Sequence, residues 1–368
     1  MKFDHMIQGS GFRVQGTGDR GQGLVSFLTP VPYPLNPEKG SVLIAVLWSL
    51  FFLAALALVI NVLITPQLAL AAKLRDRIML RYLAKAGIAR VIIEIRADET
   101  EDYDALNEPW NDNEGAFKEI SLTDDGYCSI EYLLPSEEGE KSEARYGLID
   151  EERKINVNKA PADVLARLIE LAAELPARDA RDIVGAVVDW RDKDDDPSEN
   201  GAESSYYESL EGGYPCKNAP FEVLEELRLI KGITQEIFDK IKDRVTVYGR
   251  GFVNINTADA LVLEILGFSS GLAEKIIYFR SGNDGQAATE DDNAFENAGS
   301  IAATLASKIG LSQAESEEFE AVMEQGIVGV SSDNFRGYSF GRFRDGDAFS
   351  KIAFVINRDE QIRYWRED

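Results

Sequence analysis

The chain has 368 residues, 45% of them hydrophobic and 28% charged, with a formal net charge of −25. That length leaves room for two or three hydrophobic cores. The acidity disfavours a generic cationic nucleic-acid binder, because phosphate contacts supply most non-specific affinity. The single histidine, His5, and the two cysteines, Cys128 and Cys216, exclude histidine triads and histidine or four-thiolate zinc sites from the body of the chain.

Residues 1–96 hold eleven of the 39 Lys/Arg and five of the 64 Asp/Glu, so the negative excess lies in 97–368. Such an excess suits solubility outside a membrane and hard cations such as calcium. Ser41 to Ile64 reads SVLIAVLWSLFFLAALALVINVLI, uncharged, with Asn61 its one strongly polar member. At 1.5 Å per residue it spans about 36 Å, enough for a hydrocarbon core of roughly 30 Å. A signal-peptide core is about 7–15 residues long, so the run reads as a retained membrane helix. The helix is expected to continue over roughly 42–96. Leu70, Leu74, Ile78 and Tyr82 would form its packed face, with Leu83, Ala86 and Ile93 beside them. Pro66 should kink it near the membrane exit. Lys39 precedes the span, but Lys73, Arg75, Arg77 and Arg81 follow it. The positive-inside rule alone therefore slightly opposes export of the C-terminal part.

After Pro109–Trp110 come three β-prone runs, 115–122, 127–134 and 145–150, whose alternation suits half-buried strands. Residues 155–171 (INVNKAPADVLARLIEL) and 253–268 (VNINTADALVLEILGF) then align at an offset of 98, as an internal repeat. A looser third copy, KNAPFEVLEEL, starts at Lys217. Asn158, Thr257 and Asp259 are candidate helix caps. The last two copies each run into a helix, a glycine turn and another helix, around Gly232 and around Gly267 and Gly271. This pattern resembles helix-hairpin-helix DNA-binding modules, whose turn amides hold phosphate. The alternative is a helical packing module, which the acidic surroundings favour. Arg228, Lys231, Lys240 and Lys242 are interleaved with Glu225, Glu226, Glu236, Asp239 and Asp243, and only Lys275 and Arg280 serve the second turn. Strand patterns return at Phe335–Phe343, Ile352–Ile356 and Gln361–Trp365. They are expected to rejoin the earlier sheet, leaving a helical insertion over 152–330 between 65–151 and 331–368.

Within that insertion, Asp189 and Trp190 open the run DWRDKDDDPSENGAESSYY. Asp192, Asp194, Asp195, Asp196, Glu199 and Glu203 crowd into twelve residues, where unpaired carboxylates repel one another. Counted from Asp192, acids stand at positions 1, 3, 5 and 12, as in an EF-hand, but Pro197 occupies the sixth position, where that loop needs glycine. The spacing is calcium-like without EF-hand geometry, and a solvated acidic loop is the alternative. Asp284 and Glu290–Asp292 form a second, weaker acidic stretch, read as a flexible loop. Six carboxyls in one loop do not suggest a paired-carboxylate enzyme, which needs two at a set separation across a cleft.

Several of these features together resemble the type II secretion minor pseudopilin K family, within the type IV prepilin class. They are Gly40 before SVLIAVLW, the spine ending KLRDRIMLRYLAKAGIARVIIEI, the two Asn-x-Asn repeats and the loop with Gly201, Ala202, Glu203, Tyr206 and Tyr207. The resemblance covers nearly all of 39–368. It implies an α+β fold, with a pilin-like long N-terminal helix on an antiparallel sheet and an inserted α-helical domain of SAM-like or helix-hairpin-helix-like type. It also implies a leader over 1–40, cut by prepilin peptidase between Gly40 and Ser41, and a methylated new N-terminus. Forty residues is long for that leader, and a start at Met6 would shorten it. Most pilins carry a glutamate five residues after the cut. Here that position is Ala45, as in protein K, which is taken to mean that no subunit sits above it.

The resemblance further implies a non-catalytic role at the pseudopilus tip, helping to initiate assembly and export across the outer membrane. The partners would be minor pseudopilins I, J and H and the inner-membrane assembly platform. The chain would cross the inner membrane once, with its C-terminal domain in the periplasm and no nucleic acid bound. It strengthens the calcium reading, with Asp194, Asp196 and Glu203 as favoured ligands and Asp192 and Asp195 behind them. In the periplasm Cys128 and Cys216 would be candidates for a disulfide stapling the two domains, or else two separate buried thiols. The reading from another class is a membrane-tethered helix-hairpin-helix DNA-binding protein.

Overall fold

The computed structural model describes residues 38–98, 100, 102–133 and 144–368, with side chains from residue 41. Residues 1–37 of the expected leader lie outside the described residues. The chain divides into two units, one ending at Ala69 and the other covering Leu70–Asp368.

In the first unit, α1 (Glu38–Val59) runs through a π-turn, Ile60–Ile64, into the start of α2 (Thr65–Ala97). Gly40 and Ser41 lie in the first turns of α1. From Val42 onward its large apolar side chains are exposed on every side. A helix apolar all round belongs in lipid, and among the described residues this is the helix long and apolar enough to cross a membrane. The disturbance expected at Pro66 is absorbed just before it. Proline has no N–H, and its ring crowds the carbonyl four residues back. The π-turn widens the ladder there, so that the Thr65 N–H reaches the Ile60 carbonyl, and Thr65 Oγ1 donates to the same oxygen at 3.3 Å.

In the second unit, α2 lies on a six-stranded antiparallel sheet. A short turn of helix, α3 (Glu114–Phe117), precedes β1 (Ile120–Ser121) and β2 (Gly126–Ile130). A small hairpin follows, β3 (Tyr132–Leu133) with β4 (Ala144–Arg145), and then β5 (Ile149–Asp150). The sheet is completed from the far end of the chain by β10 (Asn334–Phe343), β11 (Phe349–Asn357) and β12 (Ile362–Glu367), in the order β1-β2-β10-β11-β12 with β5 also on β10. Strand had been expected from residue 115, but Gly115–Phe117 is helical because Asn113 accepts the Ala116 N–H at 3.0 Å and caps the turn.

The face that α2 buries differs from the one expected. Leu80, Leu83, Ala84, Gly87, Ile88, Val91 and Ile95 are buried, whereas Leu70, Leu74, Ile78 and Tyr82 are more than half exposed. A strict four-residue step precesses around a helix of 3.6 residues per turn, so it cannot stay on one flat sheet; the mixed three- and four-residue spacing from Leu80 can. Two glycines set the approach. A Cβ at Gly341 would lie 2.1 Å from the Leu80 carbonyl oxygen, and one at Gly87 would lie 2.3 Å from Ser339 Oγ.

Residues 155–330 have a separate hydrophobic core. Two parallel strand pairs frame it: β6 (Ile155–Asn156) with β7 (Val245–Thr246), and β8 (Val253–Asn254) with β9 (Val328–Gly329). The helices are α4 (Ala162–Ala173), α5 (Ala177–Arg191), α6 (Ser204–Tyr207), α7 (Gln235–Ile241), α8 (Ala260–Leu266), α9 (Ser270–Arg280), α10 (Ile301–Lys308) and α11 (Gln313–Met323). The repeat is physical. Asn158 Oδ1 accepts the Phe221 N–H at 2.7 Å, and Asn256 Oδ1 accepts the Phe295 N–H at 2.8 Å. Arg191 donates to the carbonyls of Val157 and Ala160, and Arg280 to those of Ile255 and Ala258, carbonyls that again stand 98 residues apart. Asp259 caps α8 through the Val262 N–H at 2.8 Å. Asn158 and Thr257 do not cap: the first stitches to Phe221, and the second donates to Asp150 Oδ2 at 2.5 Å. The third copy forms only a 3-10 turn, Leu224–Leu229.

Candidate metal centre

Helix α5 buries Ala180, Ile183, Val184, Ala186, Val187 and Trp190. Asp189 falls on the same stripe, three residues after Ala186, and is fully buried. The following loop wraps around its carboxylate. The Ser198 N–H donates to Oδ1 at 3.1 Å and the Ala202 N–H to Oδ2 at 2.8 Å. Gly201 is required for this approach, since a Cβ there would lie 1.9 Å from Asp189 Oδ2. The turn places Glu203, also buried, beside Asp189 and Asp192, with a carboxylate oxygen of each within 4.8 Å of the others.

Asp192 Oδ1 and both carboxylate oxygens of Glu203 are buried without an N–H or O–H donor, the Cys216 thiol being a weak donor close to Glu203. Buried carboxylates are expensive unless something answers their charge. Burial, then the charges of Asp189, Asp192 and Asp195, push Glu203 up to about 7. Asp192 is raised as well, by burial and then by Asp194 and Asp189. This donor set of three carboxylates with free lone pairs fits a hard divalent cation, which takes oxygen ligands. Aromatic packing holds the walls: Trp190 meets Tyr207 edge-on at 5.2 Å, and Tyr207 stacks on Tyr214 at 5.5 Å.

Of the residues singled out from sequence, Asp192 and Glu203 come together. Asp194, Asp195 and Asp196 are exposed and lie outside the three-carboxylate group. Asp194 Oδ1 accepts the Asp196 N–H at 3.2 Å, and Asp195 Oδ1 accepts the Ser204 N–H at 3.2 Å, so these acids shape the loop. Asp189 was not among the candidates read from sequence; a charge on the buried stripe of an amphipathic helix was the available signal. In the second acidic stretch, Asp291 Oδ2 accepts from the amides of Asn283 and Asp284, and Asp292 Oδ2 from that of Ala288.

Of the two arrangements expected for the cysteines, the structure has the separate buried thiols. Cys128 and Cys216 are both free and buried. Cys128 lies within β2, paired across to Ile120 and Gly341. Cys216 lies beside the acidic loop, where its thiol donates to the Asp189 carbonyl at 3.7 Å. Burial pushes the two thiols up to about 11 and about 12.

In the two hairpins, the Ser269 amide and the lysines nearest the turns already have protein partners. At the start of α9 the Ser269 N–H donates to the Glu318 carboxylate, and Lys275 is held by Glu315 at 2.7 Å. At the Gly232 turn, Lys231 Nζ donates to the carbonyls of Asn200 and Gly201 at 3.2 and 3.1 Å.

A second carboxylate group, Asp98, Asp104 and Glu108, has the same compactness. Its charge is answered from within. Arg358 bonds Asp98 at 2.9 Å and also Asp104, while the Ser332 N–H reaches Asp104 at 2.6 Å. Glu108 accepts from Trp110 Nε1 at 2.6 Å, from Thr100 and from the Ala105 amide.

Comparison with known proteins finds similarity to one family over part of the chain. Residues 144–250 match the family model described as type II secretion system (T2SS), protein K. The type II secretion system protein K of Klebsiella pneumoniae is 33% identical over 99 residues, which is 26% of this chain and 30% of the relative. That of Pectobacterium carotovorum subsp. carotovorum is 32% identical over 108 residues, 29% of this chain and 33% of the relative. The matches thus span about a third of the length of these curated relatives. Among solved structures, a chain of the GspK-GspI-GspJ complex from the enterotoxigenic Escherichia coli type 2 secretion system superimposes with a TM-score of 0.58. The identity is 16%, covering 82% of this chain and 99% of that one. The resemblance to protein K therefore holds in sequence over 144–250. The fold, a long N-terminal helix on an antiparallel sheet with further helices, is shared over most of the chain.

Proposed function

We propose that this chain is a minor pseudopilin of the K type, and that it works by assembly. One observation carries the reading. The stretch similar to protein K, 144–250, begins at β4 and β5 and runs into helices α4 to α7, ahead of β10 of a sheet packed on a long helix whose first half is apolar all round. The apolar helix anchors the chain once in the inner membrane. The remainder, acidic and soluble in character, lies in the periplasm and caps the pseudopilus tip as an insertion too bulky to repeat along a thin filament. Gly40–Ser41 is the processing site for prepilin peptidase, followed by methylation. Minor pseudopilins I and J are the direct partners, with H and the assembly platform behind them. The name of the structural relative, a complex of GspK with GspI and GspJ, supports that choice.

We further propose that Asp189, Asp192 and Glu203 hold a calcium ion, with loop carbonyls completing its oxygen shell. Bound there, the ion neutralises the carboxylates and keeps loop 192–203 on α5. DNA binding is the weaker reading, since the amide and the lysines that would meet phosphate already have protein partners.

The test is co-elution. The full chain in detergent is mixed with I and J pseudopilins from the same organism and run by size exclusion in calcium and in chelator. A stoichiometric complex supports the assembly role, and its weakening in chelator ties the ion to the exposed domain. Absence of a complex in both buffers, with retention of a DNA duplex in a mobility shift, would favour the other reading.

A further inference from the structure

The cation loop is gripped from outside by a residue no ligand pattern would select. Lys231 stands in the turn before α7, next to Gly232, whose φ of +87° turns the chain against Ile183 of α5. Its ammonium donates to the carbonyls of Asn200 and Gly201 and lies 5.2 Å from the centre of the Tyr206 ring. Its backbone N–H donates to Tyr207 Oη at 3.3 Å. It makes no ion pair among the described residues, so it is not a substitute for the cation among the carboxylates. It binds carbonyls of the turn whose other contacts clasp Asp189: Gly201 abuts that carboxylate, the next amide donates to it, and Glu203 follows. Asn200, at φ +65°, holds a left-handed conformation that costs free energy unless neighbours stabilise it. Two charge-assisted bonds to its own and the next carbonyl do so.

We propose that Lys231 is the positioning residue of the cation loop, fixing the Asn200–Gly201 turn so that Asp189, Asp192 and Glu203 converge before the ion arrives. This rests on the calcium reading above. The hairpin lysine, placed where a DNA-binding module would present charge to phosphate, serves the metal centre instead. Repulsion between ammonium and ion works in the opposite direction, but a partly exposed ammonium is screened by water and salt. Preorganisation of the ligands is the larger effect.

The experiment compares wild type, Lys231→Met and Lys231→Arg as full chains in detergent. Calcium is titrated calorimetrically, and cleavage of loop 192–203 by a protease is followed in chelator. Met keeps the alkyl stem and removes the charge; Arg restores donors. The expected result is about tenfold weaker calcium binding in Lys231→Met, with most of the loss recovered in Lys231→Arg. The melting temperature in chelator should be unchanged and loop cleavage several-fold faster. Equal or tighter calcium binding by Lys231→Met would overturn the proposal while leaving the metal centre intact. If wild type binds no calcium, the metal reading fails, and the positioning role toward an ion falls with it. Faster cleavage of Lys231→Met in chelator would then show a purely structural clamp.

Discussion

Two groups of three carboxylates lie in the Leu70–Asp368 unit, and they differ in what answers their charge. Around Asp98, Asp104 and Glu108, the Arg358 guanidinium, the Trp110 indole, Thr100 and backbone amides supply donors. Around Asp189, Asp192 and Glu203, two amides reach Asp189, while Asp192 Oδ1 and both Glu203 oxygens have none. Compactness of acids is therefore a poor guide to a metal centre, and the unanswered oxygen is a better one. The first group, with Asp150 near Asp104, ties this part of the chain to Ser332 and Arg358. The second keeps oxygens that no N–H or O–H answers.

The largest expected effect breaks the first group. Arg358→Met leaves Asp98 and Asp104 facing each other, which should cost about 3 kcal/mol in thermal unfolding at pH 9. The loss should be smaller at pH 6, because burial pushes Asp104 up to about 8 and a proton can replace the guanidinium there. Calcium dependence should survive this change.

Next comes removal of the ion. At calcium a hundred times its dissociation constant, binding should stabilise the chain by about 2.7 kcal/mol, lost in chelator. Asp192→Asn and Glu203→Gln should abolish that difference and melt higher than wild type in chelator, because repulsion is relieved. A calcium shift retained in both variants would place the ion elsewhere.

A pH series sharpens the comparison. Glu203 at about 7 is raised above its unfolded value, so its contribution is fully present below that unfolded value and is lost as pH rises through about 7. In chelator, melting should fall from pH 5 to 8, and calcium should reverse the fall because metal and proton compete for one carboxylate. Asp104 and Glu152, both near 8, have the same sign, and their loss, spread from the unfolded carboxylate range up to about 8, should ignore calcium. Burial comes first for Glu152, then the Asp150 charge.

The smallest expected effect concerns the cysteines. Alkylation of the unfolded chain without reductant should count two thiols, and mild oxidants should leave melting unchanged, since both are buried.

The spine helix, the C-terminal strands and the Asn-x-Asn repeats were legible in the sequence because each rests on a local period. What was not legible depended on tertiary contacts. The face of α2 that meets the sheet is set by Gly87, Ser339 and Gly341, which allow backbone to approach backbone. The Pro66 strain is resolved in the π-turn before it, a choice that the sequence window does not encode. At the candidate metal centre, counting acids from Asp192 reaches two members of the three-carboxylate group, Asp192 and Glu203. It also favoured Asp194 and Asp196, which the chain direction turns outward. Asp189 precedes the acidic run and belongs to a helix stripe, so a reading of the loop alone passes over it.

Calcium titration of the full chain in detergent, wild type beside Glu203→Gln and Asp104→Asn, tests the central claim most directly. Saturable binding is expected in wild type and Asp104→Asn, and its loss in Glu203→Gln. Binding that survives in Glu203→Gln and disappears in Asp104→Asn would contradict it.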